Sequence, residues 1–138
     1  MDIEEARDYA LSLPGTTEDM PYGDDVVVFR VAQKIFMSIG LAHSDGSVLD
    51  PHSEPRIAVK CQPDWAVLLR DRYRAVQPAY HENKRHWNDI YLNQDMPQQE
   101  VERWIRHSYY EVLRKLPAKV RQTYAIPPFN PEAFEDGE

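Results

Sequence analysis

One short segment, residues 80–88, concentrates the side chains best suited to binding chemistry. Cations and amide side chains contact phosphate groups, and aromatic rings stack on bases. The segment therefore predicts a nucleic-acid or anion site, assisted by a lysine upstream and by the arginines of residues 70–74. The predicted binding residues are Lys60, Tyr80, His81, Asn83, Lys84, Arg85, His86 and Asn88. The alternative interpretation is a solvated loop that Trp87 anchors in the core.

Other kinds of site have weaker support in the sequence. His81 and His86 stand five residues apart without a set of carboxylates or thiolates, so no metal site is predicted. His107 and Ser108 are adjacent on a predicted helix, so their side chains point in different directions and form no catalytic pair. Cys61 ends a predicted strand and is interpreted as a small core residue. We therefore expect a protein that is not an enzyme and needs no cofactor.

The charge of the chain is unevenly distributed. The net charge is −7, which argues against a general nucleic-acid binder. However, residues 1–55 carry −8, residues 56–121 carry +5 and residues 122–138 carry −4. The basic middle either forms a surface that faces an anion or packs beside the acidic ends and is neutralised by them.

The composition indicates a globular protein of 138 residues that can build its own core. No apolar stretch approaches the ~18 residues that a membrane span requires. The N-terminus, Met1-Asp2-Ile3-Glu4-Glu5, has neither the cationic lead nor the apolar run of a secretory signal. We therefore expect a cytoplasmic protein without a membrane partner. The single cysteine cannot form an internal disulfide.

The first third of the chain predicts a helix and then a hairpin. A helix over about residues 2–12 begins at Asp2, with Glu5 in capping-box spacing. Two β-rich runs, 26–31 and 34–39, are separated by only two residues, which indicates a hairpin. Because those two residues, Ala32-Gln33, are poorly suited to a tight turn with positive φ, we expect a longer loop or a bulge there.

The rest of the chain predicts an irregular loop, a strand, a helix, a strand and a long helix. They cover residues 42–55, residues 56–61, a helix opening at Pro63, residues 87–92 and residues 97–115. Trp65, Leu68 and Leu69 are predicted to form the buried face of the second helix. The order favours an α+β two-layer sandwich with a mainly antiparallel sheet and flanking helices. We assign residues 1–121 to this single domain and residues 122–138 to an acidic, proline-containing tail.

An ordered set of short motifs within residues 1–121 resembles the MmcQ/YjbR family. The motifs are Pro14-Gly15, Glu18, Pro21-Tyr22-Gly23, Lys34-Ile35-Phe36, Lys60, Pro63, Pro78, Tyr80-His81, Asn83-Lys84, His86-Trp87-Asn88, Ser108-Tyr109 and Leu116-Pro117.

The resemblance implies a fold similar to bacterial frataxin (CyaY-like), with a central antiparallel sheet. It also implies a DNA-binding or regulatory role, in a double-wing mode in which β-elements grip the duplex. The leading expectation is therefore a non-catalytic DNA-binding module with weak sequence preference. The alternative is a module that binds a protein partner or a small anion through the same sheet and loop face. The oligomeric state stays open.

Overall fold

The structure is a computed structural model that describes residues 1–23, 25–40, 55–79 and 82–124. Within these ranges the elements are, in order, α1 (Ile3–Ser12), β1 (Thr17–Asp19), β2 (Val26–Val31), β3 (Lys34–Gly40), β4 (Arg56–Lys60), α2 (Pro63–Arg72), β5 (Val76–Pro78), β6 (Trp87–Tyr91), α3 (Gln98–Leu113) and α4 (Ala118–Arg121). The described strands form one sheet in the order β1-β2-β3-β4-β6-β5, with every neighbouring pair antiparallel. The predicted α+β fold with flanking helices is confirmed.

The core lies between the sheet and α3, which packs across β2, β3 and β4. Val101, Trp104 and Ile105 of α3 are fully buried there because they recur at helical spacing. The α1 helix packs on α3, and its small residues Ala6 and Ala10 are fully buried. A single apolar core therefore joins the helices to the sheet.

The predicted start of α1 is confirmed in detail. The Glu5 amide donates to Asp2 Oδ1 at 2.8 Å, and the Asp2 amide donates to Glu5 Oε1 at 3.1 Å, forming a capping box. After the helix, Gly15 adopts φ +74°, and a Cβ there would lie 2.4 Å from the Tyr124 ring. This position requires glycine both for its backbone conformation and for the close approach of Tyr124.

The hairpin between β2 and β3 is tighter than predicted. Ala32 and Gln33 both adopt positive φ, 49° and 70°, so a two-residue turn forms without glycine and the longer-loop prediction is wrong. A bulge does occur, but it lies further along the ladder than the Ala32-Gln33 position where it was predicted. Phe29 pairs with Met37, whereas Arg30 pairs with Ile35, which leaves Phe36 as the extra residue.

The prediction missed β1 and β5, two short edge strands of three residues each. They are too short for a periodic signal, and Pro78 is tolerated in β5 because an edge strand leaves one side unpaired. Leu68 was wrongly assigned to the buried face of α2, since it is 46% exposed while Ala66 and Leu69 are buried. Trp87 is only partly buried. Of the predicted loop over residues 42–55, residues 42–54 lie outside the described residues, as do residues 125–138 of the predicted tail.

Candidate functional site

The loop that follows β5 is held by its own backbone and side chains. The Ala79 amide donates to the Trp87 carbonyl at 3.2 Å, and the His86 amide donates to the Asn83 carbonyl at 3.2 Å. The Asn83 side chain accepts from the Arg85 amide at 2.8 Å. Lys84 Nζ donates to the Ala79 carbonyl at 2.6 Å. Two of the predicted binding side chains therefore stabilise the loop, and the exposed Arg85 projects from it.

Arg70 fixes this loop to α2. Its Nε donates to Asn88 Oδ1 at 2.7 Å, and its Nη2 donates to the carbonyls of Lys84 and, at 3.5 Å, Trp87. Asn88 Nδ2 donates in turn to the Ala66 carbonyl at 3.3 Å. Arg70 was expected to assist phosphate binding, but in the structure its guanidinium holds the loop and β6 against α2.

The structure separates the predicted binding residues into different groups. Asn88 is 1% exposed, and its side chain hydrogen-bonds to Arg70 and Ala66 of α2, so it is a buried structural residue. Lys60, at the end of β4, and His86 are partly buried, and the His86 carbonyl accepts from the Cys61 amide at 2.8 Å. Tyr80 and His81 lie outside the described residues. Asn83, Lys84 and Arg85 are exposed.

Glu82, within the predicted segment, leans towards the sheet. Its Oε1 accepts from the Ser38 hydroxyl at 3.4 Å, and Ser38 lies in β3 with a buried side chain. The charge of Glu82 is therefore placed beside the sheet surface.

A cleft of about 610 Å³ opens beside the loop, between the beginning of α2 and the C-terminal half of α3. Its lining is polar and aromatic, and it consists of Gln62, Pro63, Asp64, Arg85, His107, Tyr110 and Arg114. Arg85 thus connects the predicted loop to a concave surface. Because His107, Tyr110 and Arg114 are spaced three and four residues apart, they form one stripe along α3. That spacing is the signal by which sequence reasoning could have found them.

A hydrogen-bonded network forms the inner wall of the cleft. The backbone N–H of Gln62 donates to His107 Nε2 at 3.3 Å, and the side-chain Nε2 of Gln62 donates to Glu111 Oε2 at 3.2 Å. Arg114 approaches the same carboxylate with two nitrogens, Nε at 2.6 Å from Oε2 and Nη2 at 3.1 Å from Oε1. Glu111 is buried, and this pairing orients the more exposed Arg114 guanidinium at the cleft.

The network also sets the charges of its members. Burial lowers the pKa of His107 to about 4, and the opposing attraction of Glu111 is weaker. Burial acts to raise the pKa of Glu111, but hydrogen bonds from Arg114 and Gln62 outweigh it, so that pKa is lowered. At neutral pH the wall therefore presents a neutral imidazole above an ionised, paired carboxylate.

Several cations lie beside the cleft, near the end of β4. Arg85 comes from the loop, Lys60 from the end of β4, and Arg114 and Lys115 from the end of α3. Burial lowers the pKa of Lys60, and the nearby Lys115 lowers it further. Arg121 of α4 joins them by donating from Nη1 to the Arg114 carbonyl at 3.3 Å. We call these five residues the basic end.

The Ser108 hydroxyl makes hydrogen bonds with backbone groups of the sheet. The Ser108 hydroxyl donates to the Phe36 carbonyl and accepts from the Lys60 amide at 2.8 Å. The Met37–Val59 pair is the last rung between β3 and β4, so the hydroxyl bridges the strands where the next rung would form. Cys61 is buried, and burial raises the pKa of its thiol, which keeps it protonated.

The part of the chain that the structure describes contains no group of three or more His, Cys, Asp or Glu side chains placed to hold a metal ion. Among those same residues, no helix is long and apolar enough to cross a membrane.

Comparison with known proteins places this fold in a family. The YjbR family model matches residues 11–111. The chain is 25% identical to the Escherichia coli K12 protein YjbR over 122 residues, covering 88% of this chain and 96% of that protein. It is 30% identical to YbdF of Escherichia coli O157:H7 over 93 residues, covering 67% and 69% respectively.

Solved structures agree with the sequence comparisons. The crystal structure of Deinococcus radiodurans protein DR2400, with domain DUF419, superimposes with a TM-score of 0.75 at 23% identity, covering 91% of this chain and 89% of that one. A crystal structure of a Pseudomonas syringae protein superimposes with a TM-score of 0.65 at 27% identity, covering 78% and 96%. The family model runs from the end of α1 into the last turn of α3 and so covers every described strand, and the chain therefore belongs to the YjbR family.

Proposed function

We propose that this chain is a non-catalytic DNA-binding module whose basic end contacts the phosphate backbone. The observation that carries the proposal is the convergence of Lys60, Arg85, Arg114, Lys115 and Arg121 from separate parts of the sequence. Positive side chains grouped on one surface attract a polyanion even when the whole chain is acidic, since the field depends on where charges lie.

Sequence preference should be weak, because the two asparagines of the predicted segment both make contacts within the protein. Asn83 accepts from the Arg85 amide, and Asn88 is buried against α2. The five residues of the basic end are cations, and the contacts that cations make with phosphates carry no direct sequence information.

Fluorescence anisotropy with a labelled duplex at low and near-physiological salt tests this proposal. Affinity should fall steeply with salt, and Lys115→Ala should weaken binding and lower the log–log salt slope by roughly 1. Arg74→Ala is a matched control for charge. Arg74 is one of the arginines that the sequence suggested as assisting cations, but the structure places it near the start of β4. This follows because the neighbouring Ala75 carbonyl accepts from the Tyr91 amide and Tyr91 pairs with Arg56. Lys60 and the rest of the basic end lie at the opposite end of β4. The salt slope of the Arg74 variant should equal that of the wild type.

Two results would contradict the proposal. One is the absence of wild-type binding at low salt with tens of micromolar protein. The other is equal loss of affinity in the Lys115 and Arg74 variants, which would indicate a diffuse charge effect without a localised site. A pull-down that recovers a protein partner, lost in the Lys115 variant, would favour the protein-binding alternative.

A further inference from the structure

The cleft beside the basic end differs from a phosphate-binding surface in three respects. It is concave, its volume of about 610 Å³ lies in the range of small-molecule sites, and it contains an aromatic side chain. DNA backbone binding by exposed cations requires none of these features. The cleft therefore has room for a ligand other than a duplex.

Tyr110 and Arg114 supply a stacking surface and an oriented cation. They stand four residues apart on α3, so both side chains lie on the same stripe, and both line the cleft. Glu111 holds the Arg114 guanidinium through two hydrogen bonds, at 2.6 and 3.1 Å, which limits its rotation. A planar group placed against Tyr110 would lie beside a preoriented guanidinium.

The remaining lining residues favour a ligand with both an anionic and an uncharged portion. Arg85 is exposed at the cleft and suits a phosphate or carboxylate. His107 is neutral at physiological pH because burial lowers its pKa to about 4. The exposed Asp64 carboxylate can accept from hydroxyl or amino groups but repels a second anion. A simple inorganic anion would leave both Tyr110 and the hydrogen-bond acceptors of Asp64 unused.

We infer that the cleft binds a nucleoside monophosphate, with the base against Tyr110 and the phosphate near Arg85. The same chemistry is presented by a free nucleotide and by the 5′-phosphorylated end of a single strand. This ligand site stands apart from the duplex binding proposed above, although Arg85 lies at both.

Titration of the ¹⁵N-labelled full chain with AMP, followed by NMR, tests the inference. Saturable shifts should appear at cleft residues, and adenosine and inorganic phosphate should each bind at least about tenfold more weakly, because each supplies only part of the contacts. A 5′-phosphorylated single-stranded oligonucleotide distinguishes the two sources. Binding much tighter than AMP would identify a strand end, and equal binding would identify a free nucleotide.

Matched variants separate the contacts. Tyr110→Leu should weaken AMP binding about tenfold, whereas Tyr110→Phe should retain it within about twofold, since stacking needs the ring and not the hydroxyl. Arg85→Ala should weaken AMP binding about tenfold, with Arg74→Ala unchanged. Duplex binding should survive Tyr110→Leu, so loss of one activity can be distinguished from loss of the other.

The inference would be overturned if inorganic phosphate bound as tightly as AMP, or if the AMP shifts mapped away from the cleft. It would also fail if Tyr110→Phe lost AMP binding while Arg85→Ala retained it, with circular dichroism showing that both variants are folded. Absence of any saturable shift at millimolar AMP would exclude the site.

Discussion

The two sides of α3 carry similar residue types in different roles. On the side that faces the sheet, Trp104 and Ser108 are almost completely buried, and the Ser108 hydroxyl bridges β3 and β4. On the side that faces the cleft, Tyr110 is partly exposed and Arg114 is exposed. Polar and aromatic side chains thus occur on both sides. Their chemistry becomes available to a ligand only where the packing leaves them accessible.

The largest expected difference between the two sides is in packing energy. Trp104→Ala should lower the free energy of unfolding by about 3–5 kcal/mol, because it removes a large side chain from the core and leaves a cavity. Urea denaturation would measure it. A loss below about 1 kcal/mol would show that the sheet-facing side of α3 tolerates cavities and that the contrast is overstated.

The boundary between the two sides, at His107, should show a pH effect. The folded pKa of about 4 lies below the ordinary histidine pKa of 6.5, so the unfolded state binds the proton first as pH falls. Stability should therefore decrease by roughly 2 kcal/mol from about pH 7 to about pH 5. The pKa of Glu111 is lowered in the folded state, so its contribution to stability is lost only as the pH falls below the ordinary glutamate pKa of 4.5, outside that window.

Denaturant unfolding across this pH range, on the wild type and His107→Gln, would check the assignment. The glutamine can still accept from the Gln62 amide but does not titrate, so its stability should vary little from about pH 7 to about pH 5. Equal slopes in the two proteins would show that another group causes the loss.

The bridge made by Ser108 should have a measurable local effect. Ser108→Ala should cost about 1–2 kcal/mol, because it leaves the buried Phe36 carbonyl and the Lys60 amide without their hydroxyl partner. Hydrogen exchange of the Lys60 amide should also become faster. Ser12→Ala is the control, since its hydroxyl bonds only the nearby Tyr9 carbonyl at an exposed site. A Lys60 amide that stays equally protected would argue against the bridge.

The smallest expected effect is at the cleft. Tyr110→Phe should change the free energy of unfolding by less than about 0.5 kcal/mol, because the hydroxyl lies on a partly exposed side chain away from the core. Thermal or urea unfolding would test it. A cost comparable with that of Ser108→Ala would mean that Tyr110 is a structural residue, and it would weaken the comparison.

In the loop of residues 82–86, as on α3, packing decides which polar side chains are accessible to a ligand. The composition of the loop predicted a binding segment, yet Lys84 and Asn83 stabilise the loop, and Arg70 and Asn88 brace it against α2. Hydrogen-bonding groups are equally suited to a ligand and to a neighbouring backbone. Residue type alone therefore could not separate Asn88, which is buried, from Arg85, which reaches the cleft.

Local signals in the sequence determined much of the fold. The capping box at Asp2, the β-branched runs on either side of Ala32-Gln33 and the apolar spacing of α3 each act over a few residues, so they can be recognised without a structure. The charge of residues 56–121 is likewise read directly from the sequence, but it left open whether this region faces an anion or is neutralised by the acidic ends.

The tertiary structure decided which groups share a site. Gln62, Arg85 and Tyr110 are far apart in the chain, and they meet only because α2, the loop after β5 and α3 converge beside the end of β4. It also decided the positive φ of Ala32 and Gln33, since the closely paired strands impose a turn that neither residue prefers. Long-range packing of this kind leaves no local pattern, because each contact depends on a partner many residues away.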